Sequence, residues 1–437
     1  MGKKIKSMVA ILSALSFIFI AGCQNTSTSD SNTSITESSA EQLAENSSDN
    51  SSEATSEITE ISVPETEKPE ENKPQHITDE YLSNTYIATG NNFIVASAEN
   101  ITYRAYFPVE EYGKLQYSFY FSNTVDSTYS KGTKAYVGMP GGNYTISNAV
   151  IADGGTGPED EITNRTPVTF GGKDSKDVTP NETYWSDPVE MDIPEGHYLV
   201  WEWTINGTDI PCIAMSSLTS TTSSTDGQNF GYCDNIPLPQ IIGAKRDVKH
   251  TVCAIGDSIT QGCQTEFMKY EFWSAQFAQK IGDDVSFYNA GLGWSRASDA
   301  SECGDWLERA KKYETVLVAF GTNDIGVGEY NGKKNTAEEI KVFLEVIIDE
   351  LKEAGCNVIL FNSPPQGYKA TNEGVRTELN KTIPTLAEEK EIAFFDFAGL
   401  LCDESDPGTP LYGGHPNGEA GGIVSDKLLD QFADLLK

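Results

Sequence analysis

The chain is poor in several things that particular kinds of protein need. Of 437 residues only 31 are Lys or Arg, against 65 Asp or Glu, a formal net charge of −34. Such a field repels phosphate backbones and anionic lipid head groups, which argues against a general nucleic-acid binder. There are eight cysteines and no CxxC pair, so neither a disulfide-dense miniprotein nor a zinc ribbon is expected. Only four histidines occur, His76, His197, His250 and His415. Any histidine-based chemistry must use one of them. The length, by contrast, is ample for two domains.

The N-terminus reads as an address. Lys3, Lys4 and Lys6 precede an apolar run from Met8 to Ala21, too short and too abruptly ended for a good transmembrane span. The run closes in Ile20-Ala21-Gly22-Cys23, which resembles a bacterial lipoprotein lipobox. That resemblance implies cleavage after residue 22 and a lipid on Cys23. The protein is then held at the outer face of the cell membrane by buried methylenes, at about 0.8 kcal/mol each. Residues 24–75 hold 19 Ser or Thr, 12 acids, two bases and no aromatic residue. Such a segment cannot bury enough apolar surface to offset its chain entropy, so 23–76 is expected to be a disordered tether.

Over residues 77–248 the pattern has period two. Leu115, Tyr117, Phe119 and Phe121 alternate with Gln116, Ser118, Tyr120 and Ser122, and Leu199, Trp201, Trp203 and Ile205 behave likewise. This suits strands with one face buried and one wet. Turn residues such as Pro140-Gly141-Gly142-Asn143 punctuate the region. An all-β sandwich or jelly-roll-like domain is expected. Its aromatics serve the core first, and any exposed ones could bind glycans. From residue 249 to the end the texture becomes strand–helix alternation. Apolar runs at 251–255, 285–289, 315–320, 357–361 and 392–395 are separated by helical stretches near 272–281, 300–312, 336–353, 372–390 and 419–436. This predicts a flavodoxin-like, five-stranded parallel sheet of the α/β class, with ligands beyond the carboxyl ends of its strands.

Polar residues gather at those ends. The first strand runs into Gly256-Asp257-Ser258-Ile259-Thr260, the second into Asn289-Ala290-Gly291-Leu292-Gly293, the third into Gly321-Thr322-Asn323-Asp324. Taken alone, a serine in such a turn is as a rule a cap. An Asn amide and close-approaching backbone N–H groups at the same edge, however, could stabilise an oxyanion. A base is then needed. His250 begins the strand that carries Ser258, roughly 26 Å away at about 3.3 Å per residue, at the wrong end of the sheet. His415, in Tyr412-Gly413-Gly414-His415-Pro416-Asn417, precedes the last helix and sits at the right edge.

In this order, Ser258 in GDSIT, the Gly291/Gly293 segment, Asn323 in GTND and His415 in GGHPN resemble the SGNH (GDSL-type) hydrolases. The resemblance covers about residues 249–437. It implies ester hydrolysis through an acyl-serine, with no metal and no organic cofactor. Ser258 would be the nucleophile, and its N–H, Asn323 and an N–H at Gly291 or Gly293 would form the oxyanion hole. The β domain looks like one that precedes some secreted bacterial SGNH esterases, through Thr169-Phe170-Gly171-Gly172 and Trp185-Ser186-Asp187-Pro188. Two departures stand out. Trp294 can fall where the family often has its donor glycine. Tyr412 stands where the family usually places an Asp three residues before the His, and an Asp there orients the imidazole. Either a Ser–His dyad operates, with a backbone carbonyl orienting His415, or Asp403, Glu404 or Asp406 upstream supplies the acid. Gly293-Trp294-Ser295-Arg296-Ala297 loosely resembles a nucleophile elbow but lacks its last glycine. With Cys23 lipidated, an odd seven cysteines remain, and Cys263 with Cys303 is one conceivable pair.

The expected function is a lipid-anchored serine esterase removing short acyl groups, acetyl first, from small-molecule or polysaccharide esters. The alternatives are a lipolytic esterase or thioesterase with the same site, and a non-catalytic surface glycan-binding protein.

Overall fold

The computed structural model describes residues 81–83, 90–109, 112–127, 136–214, 217–233, 235–282, 284–328 and 333–436. Cys23, the tether and His76 lie outside them. The described residues all fall within one compact unit, Lys68–Lys437.

Two antiparallel sheets form first. In one, Gly113–Ser122 pairs with Ile241–Lys245, Thr183–Trp185 and Val189–Ile193, and Tyr81–Ser83 extends the edge. In the other, the long strands Phe93–Pro108 and Tyr198–Ala214 run side by side, flanked by Ser220–Ser224 and Tyr144–Asp153. The alternating aromatics make the interior. Phe119 of the first sheet stacks on Trp201 of the second, with ring centroids 4.1 Å apart, and Trp203 continues the row. Trp201, Trp203, Tyr117 and Phe119 are fully buried, so these strand aromatics are core. Asp187 joins the two motifs noted in this region, accepting from Thr169 Oγ1 and from the N–H groups of Gly171 and Gly172.

One expectation fails here. The second face of Gly113–Ser122 is not wet, because Ser118 and Ser122 are only 2% and 4% exposed. That face is covered: Gln240 accepts the Ser122 N–H, and the Tyr120 hydroxyl donates to Asp305 of the following region at 3.0 Å. Alternation in sequence reports polarity and not exposure: Ser118 is buried with its hydroxyl donated to the Ser186 carbonyl at 2.9 Å, while among the described residues the buried Ser122 hydroxyl has no partner.

The parallel sheet has five strands: His250–Gly256, Val285–Gly291, Thr315–Ala319, Asn357–Phe361 and Ala393–Phe395. In chain order one to five they lie as 2-1-3-4-5, the flavodoxin-like arrangement. Register aligns Gly256 with both Gly291 and Ala319. The residues just beyond, including Ser258, Gly293 and Asn323, therefore leave the sheet along one edge, where strand order reverses. Apolar helix faces cover the sheet; Ala337–Glu353 buries Ile340, Leu344, Ile347 and Leu351 at helical spacing behind a Thr336–Glu339 capping box. The helix expected over 300–312 is instead two, Ala297–Ala300 and Asp305–Ala310. Cys303, at φ 56°, and Gly304 break it. The last stretch likewise divides at Phe432 into Gly418–Gln431 and Ala433–Leu436.

Sandwich and parallel sheet meet through buried charge. Arg309 pairs with Asp126 at 2.9 Å and donates to the Tyr288 hydroxyl at 3.1 Å. Both ions are out of water, so each depends on the other for solvation.

Candidate active site

Ser258 opens a four-residue helix, Ser258–Gln261. Asp257 caps it by accepting the Ile259 N–H at 2.9 Å, and Gly262, at φ 94°, ends it with its N–H on the Ser258 carbonyl. The turn needs Gly256: a Cβ there would lie 2.3 Å from Thr260 Oγ1 and 2.7 Å from the Ala319 carbonyl. The result holds the Ser258 side chain half-buried at the sheet edge.

His415 comes from 157 residues away. The Ser258 hydroxyl lies 2.8 Å from its Nε2. The histidine loop turns at Gly413, φ 87°, and is tied down on both sides. Gln366 Nε2 donates to the Gly414 carbonyl at 2.6 Å, and Asn417 caps the helix Gly418–Gln431. Burial holds the His415 pKa below the ordinary 6.5 by disfavouring the imidazolium. The ring is therefore neutral at neutral pH and able to accept the serine proton.

Asn323 follows Gly321 on the short helix Thr322–Gly326. Its Nδ2 donates one hydrogen to the Ser295 carbonyl at 2.9 Å, which leaves the second amide hydrogen for a ligand. Ser295, the elbow-like serine, is fully buried, and its hydroxyl donates to the Gly256 carbonyl at 2.9 Å. It braces the loop and faces no substrate. Asp324, beside Asn323, accepts the N–H groups of Ala297 and Ser298 at 2.9 and 3.2 Å. Burial pushes its carboxyl up to about 6. Burial also pushes the Asp257 carboxyl up to about 7, and the Asp324 charge adds to the effect.

Three expectations need correction. The Gly291 N–H is not an oxyanion donor, because it is spent on the Asn289 side-chain oxygen at 2.9 Å. Any strand-two donor would then have to come from residues 293–294, where Trp294 stands at φ 68°. The upstream acids do not reach the histidine either. They lie on the ribbon Cys402–Asp403 and Asp406–Pro410, where Asp403 accepts from Ser405 and Asp406 from Thr409. Glu404 is exposed on the same ribbon. Two-residue turns satisfy their acids locally, and local bonds win over a distant imidazole. Among the described residues His415 has no hydrogen-bond partner other than Ser258, so the backbone carbonyl expected to orient it is not seen either; Tyr412 is half-buried against the core. Finally, Cys263 and Cys303 are separate thiols, donating to Gln261 Oε1 and the Ser301 carbonyl.

The remaining histidines are elsewhere. His250 starts the first parallel strand beside Glu314, and His197 pairs with Asp153 in the sandwich. Among the described residues no group of three or more His, Cys, Asp or Glu is placed to hold a metal ion. Sequence reasoning missed Asn92, whose Nδ2 reaches the Gly293 carbonyl at 2.9 Å across 201 residues. No motif surrounds it, so no signal could have marked it. Asp324 stands within GTND, but its partners are the backbone N–H groups of Ala297 and Ser298, which no motif marks.

Residues 254–420 match the model of the GDSL-like Lipase/Acylhydrolase family. No curated protein matches the chain. Among solved structures, a member of the lipolytic protein G-D-S-L family from Veillonella parvula is 21% identical. That alignment covers 42% of this chain and 98% of the other at a TM-score of 0.36. The aryl esterase of M. smegmatis is 19% identical, covering 43% and 100% at 0.35. A catalytic mutant of an acetylxylan esterase from Geobacillus stearothermophilus is 16% identical, covering 42% and 94% at 0.34.

Proposed function

Residues 254–420 are a GDSL-like lipase/acylhydrolase domain and the protein is an ester hydrolase, and from that premise we propose that it cleaves short-chain acyl esters, acetyl on carbohydrate first, by an acyl-serine route. Ser258 Oγ attacks the acyl carbon while His415 Nε2 takes its proton. The oxyanion is met by the Ser258 N–H, an Asn323 amide hydrogen and an N–H from residues 293–294. His415 then protonates the departing alcohol. Water, activated by the same imidazole, releases the acid and restores Ser258. Two groups carry the proton chemistry, a dyad. Its imidazole is made neutral by burial.

The observation that carries this reading is the 2.8 Å hydrogen bond between Ser258 and His415 at the edge that also holds Asn323. A short acyl group is supported by Trp294, half-buried where the family often has a donor glycine, since an indole there would narrow the acyl pocket. The carbohydrate and the membrane face are supported by the lipobox-like Ile20–Cys23, since a lipid on Cys23 would hold the enzyme among cell-surface polymers.

A fluorophosphonate probe should label Ser258, and Ser258→Ala should abolish labelling. A nitrophenyl ester series should peak at the acetyl ester, and acetylated xylan should release acetate. A peak above eight carbons would replace this reading with a lipolytic one. Absence of labelling in the wild-type protein would remove the nucleophile.

A further inference from the structure

Asn92 belongs to the sandwich, yet its side chain ends on the second active-site loop of the parallel sheet. It is fully buried, and its Nδ2 donates to the Gly293 carbonyl at 2.9 Å. Among the described residues its Oδ1 has no partner. A buried amide with one unpaired oxygen is less stable than an apolar side chain of the same shape. Packing alone does not account for an asparagine here; the donated hydrogen bond does.

Asn92 is itself held in place. Its N–H donates to the Cys212 carbonyl at 3.2 Å. Its neighbour Asn91 donates its N–H to Asp126 at 3.0 Å, and Asp126 is locked to Arg309. At Gly90 a Cβ would come within 2.9 Å of Leu292. Segment 90–92 is thus docked against residues 292–293.

The choice of acceptor matters. The Gly293 carbonyl and the Trp294 N–H belong to one planar trans peptide and point in opposite directions. A donor on the carbonyl fixes the plane, aims the N–H away from the sandwich and polarises it into a stronger donor. Trp294 stands at φ 68°, a left-handed conformation that a bulky residue keeps only under constraint. The constraint comes from both sides. Asn92 holds Gly293, while Ser295 is held through its hydroxyl on Gly256 and its carbonyl under Asn323.

We propose that Asn92 is a positioning residue for ester hydrolysis, through which the sandwich orients the 293–294 peptide toward the oxyanion formed on Ser258. Asn92 has this role only if Ser258 is the nucleophile, as proposed. The sandwich is then part of the catalytic apparatus, whatever else it binds.

The test compares the full-length wild type with Asn92→Ala, Asn92→Ser and Ser127→Ala. Ser127 donates from the sandwich to Asp299 at 3.2 Å without touching the 293–294 peptide. The readouts are kcat and KM on nitrophenyl acetate, the thermal midpoint, and affinity for a simple alkylboronic acid. The tetrahedral boronate on Ser258 sets an oxygen where the oxyanion forms. Asn92→Ala should lower kcat about tenfold or more, short of the 10²–10³ for deleting a donor outright, with KM little changed. Boronate affinity should fall by the same factor and the thermal midpoint should hold, since an unpaired oxygen goes too. Ser127→Ala should match wild type. If Asn92→Ala does not fold, Asn92→Ser, whose hydroxyl is too short to reach Gly293, is read in the same way. Wild-type kcat and boronate affinity in the folded Asn92 variants, or a loss confined to KM or to the thermal midpoint, would overturn the role. Failure of a fluorophosphonate to label wild-type Ser258 would instead overturn the nucleophile, and the role of Asn92 with it.

Discussion

The sandwich and the parallel sheet bury their polar groups differently. In the sandwich core, Phe119, Trp201 and Trp203 fill space, and among the described residues the two indole N–H groups have no acceptor. Around the parallel sheet Val252, Ile255, Leu317 and Ile359 are buried together with Phe277, Tyr288, Phe361 and Phe395, and polar groups interlock at one edge. Ser295 braces Gly256, Asn323 braces Ser295, and Asp324 gathers Ala297 and Ser298. The difference has a backbone cause. Inside a sheet most N–H and C=O groups are committed to a ladder, so side chains there mainly pack or pair with one another. Where strands end, the backbone is freed and needs partners, and a ligand can be one of them.

That division predicts which substitutions harm chemistry and which harm folding. Ser258→Ala or His415→Ala should lower kcat on the order of 10⁶-fold while thermal unfolding stays near wild type, because each touches the edge alone. A parallel loss of melting temperature would blur the division. Trp201→Ala should do the reverse. It should cost roughly 3–5 kcal/mol in denaturant unfolding, with kcat per folded molecule retained. Asn323→Ala should lower kcat by about 10²–10³ with KM nearly constant, since the amide acts on developing charge; an unchanged kcat would take it out of the oxyanion hole. The smallest effect is on pH. Burial disfavours the imidazolium of His415, so its protonation, and with it the loss of the base, requires more acid than for an ordinary histidine. The acid limb of kcat/KM should therefore have its midpoint below pH 6.5, with full activity above it. A midpoint above that value would mean that a carboxylate partners the ring.

Much of the catalytic edge was legible because it is short-range. GDSIT, GTND and GGHPN each carry a glycine within two residues of the functional side chain, and the strands before the first two are near-continuous apolar runs. The strand Asn357–Phe361 has the bounds its apolar run predicts, and the other strands differ by one or two residues at an end. The failures were choices among near neighbours in sequence. Gly291 and Gly293 look interchangeable on paper, yet Asn289 folds back to occupy only the first N–H. Asp403, Glu404 and Asp406 lie close to His415 along the chain, but the ribbon they form satisfies its acids within itself.

The sequence by itself determined the classes of structure and the identities at the edge. Periods of two and 3.6 follow from the geometry of strand and helix, and a glycine beside Ser258 or His415 records a local need of the backbone. Only the tertiary structure decided that the Gly291 N–H is already taken, how Trp294 is held, and that the sandwich reaches the Gly293 carbonyl through Asn92. Those are matters of which group reaches a given partner first across some 200 residues, and hydrogen-bond geometry at 2.9 Å leaves no trace in the order of residues along a chain.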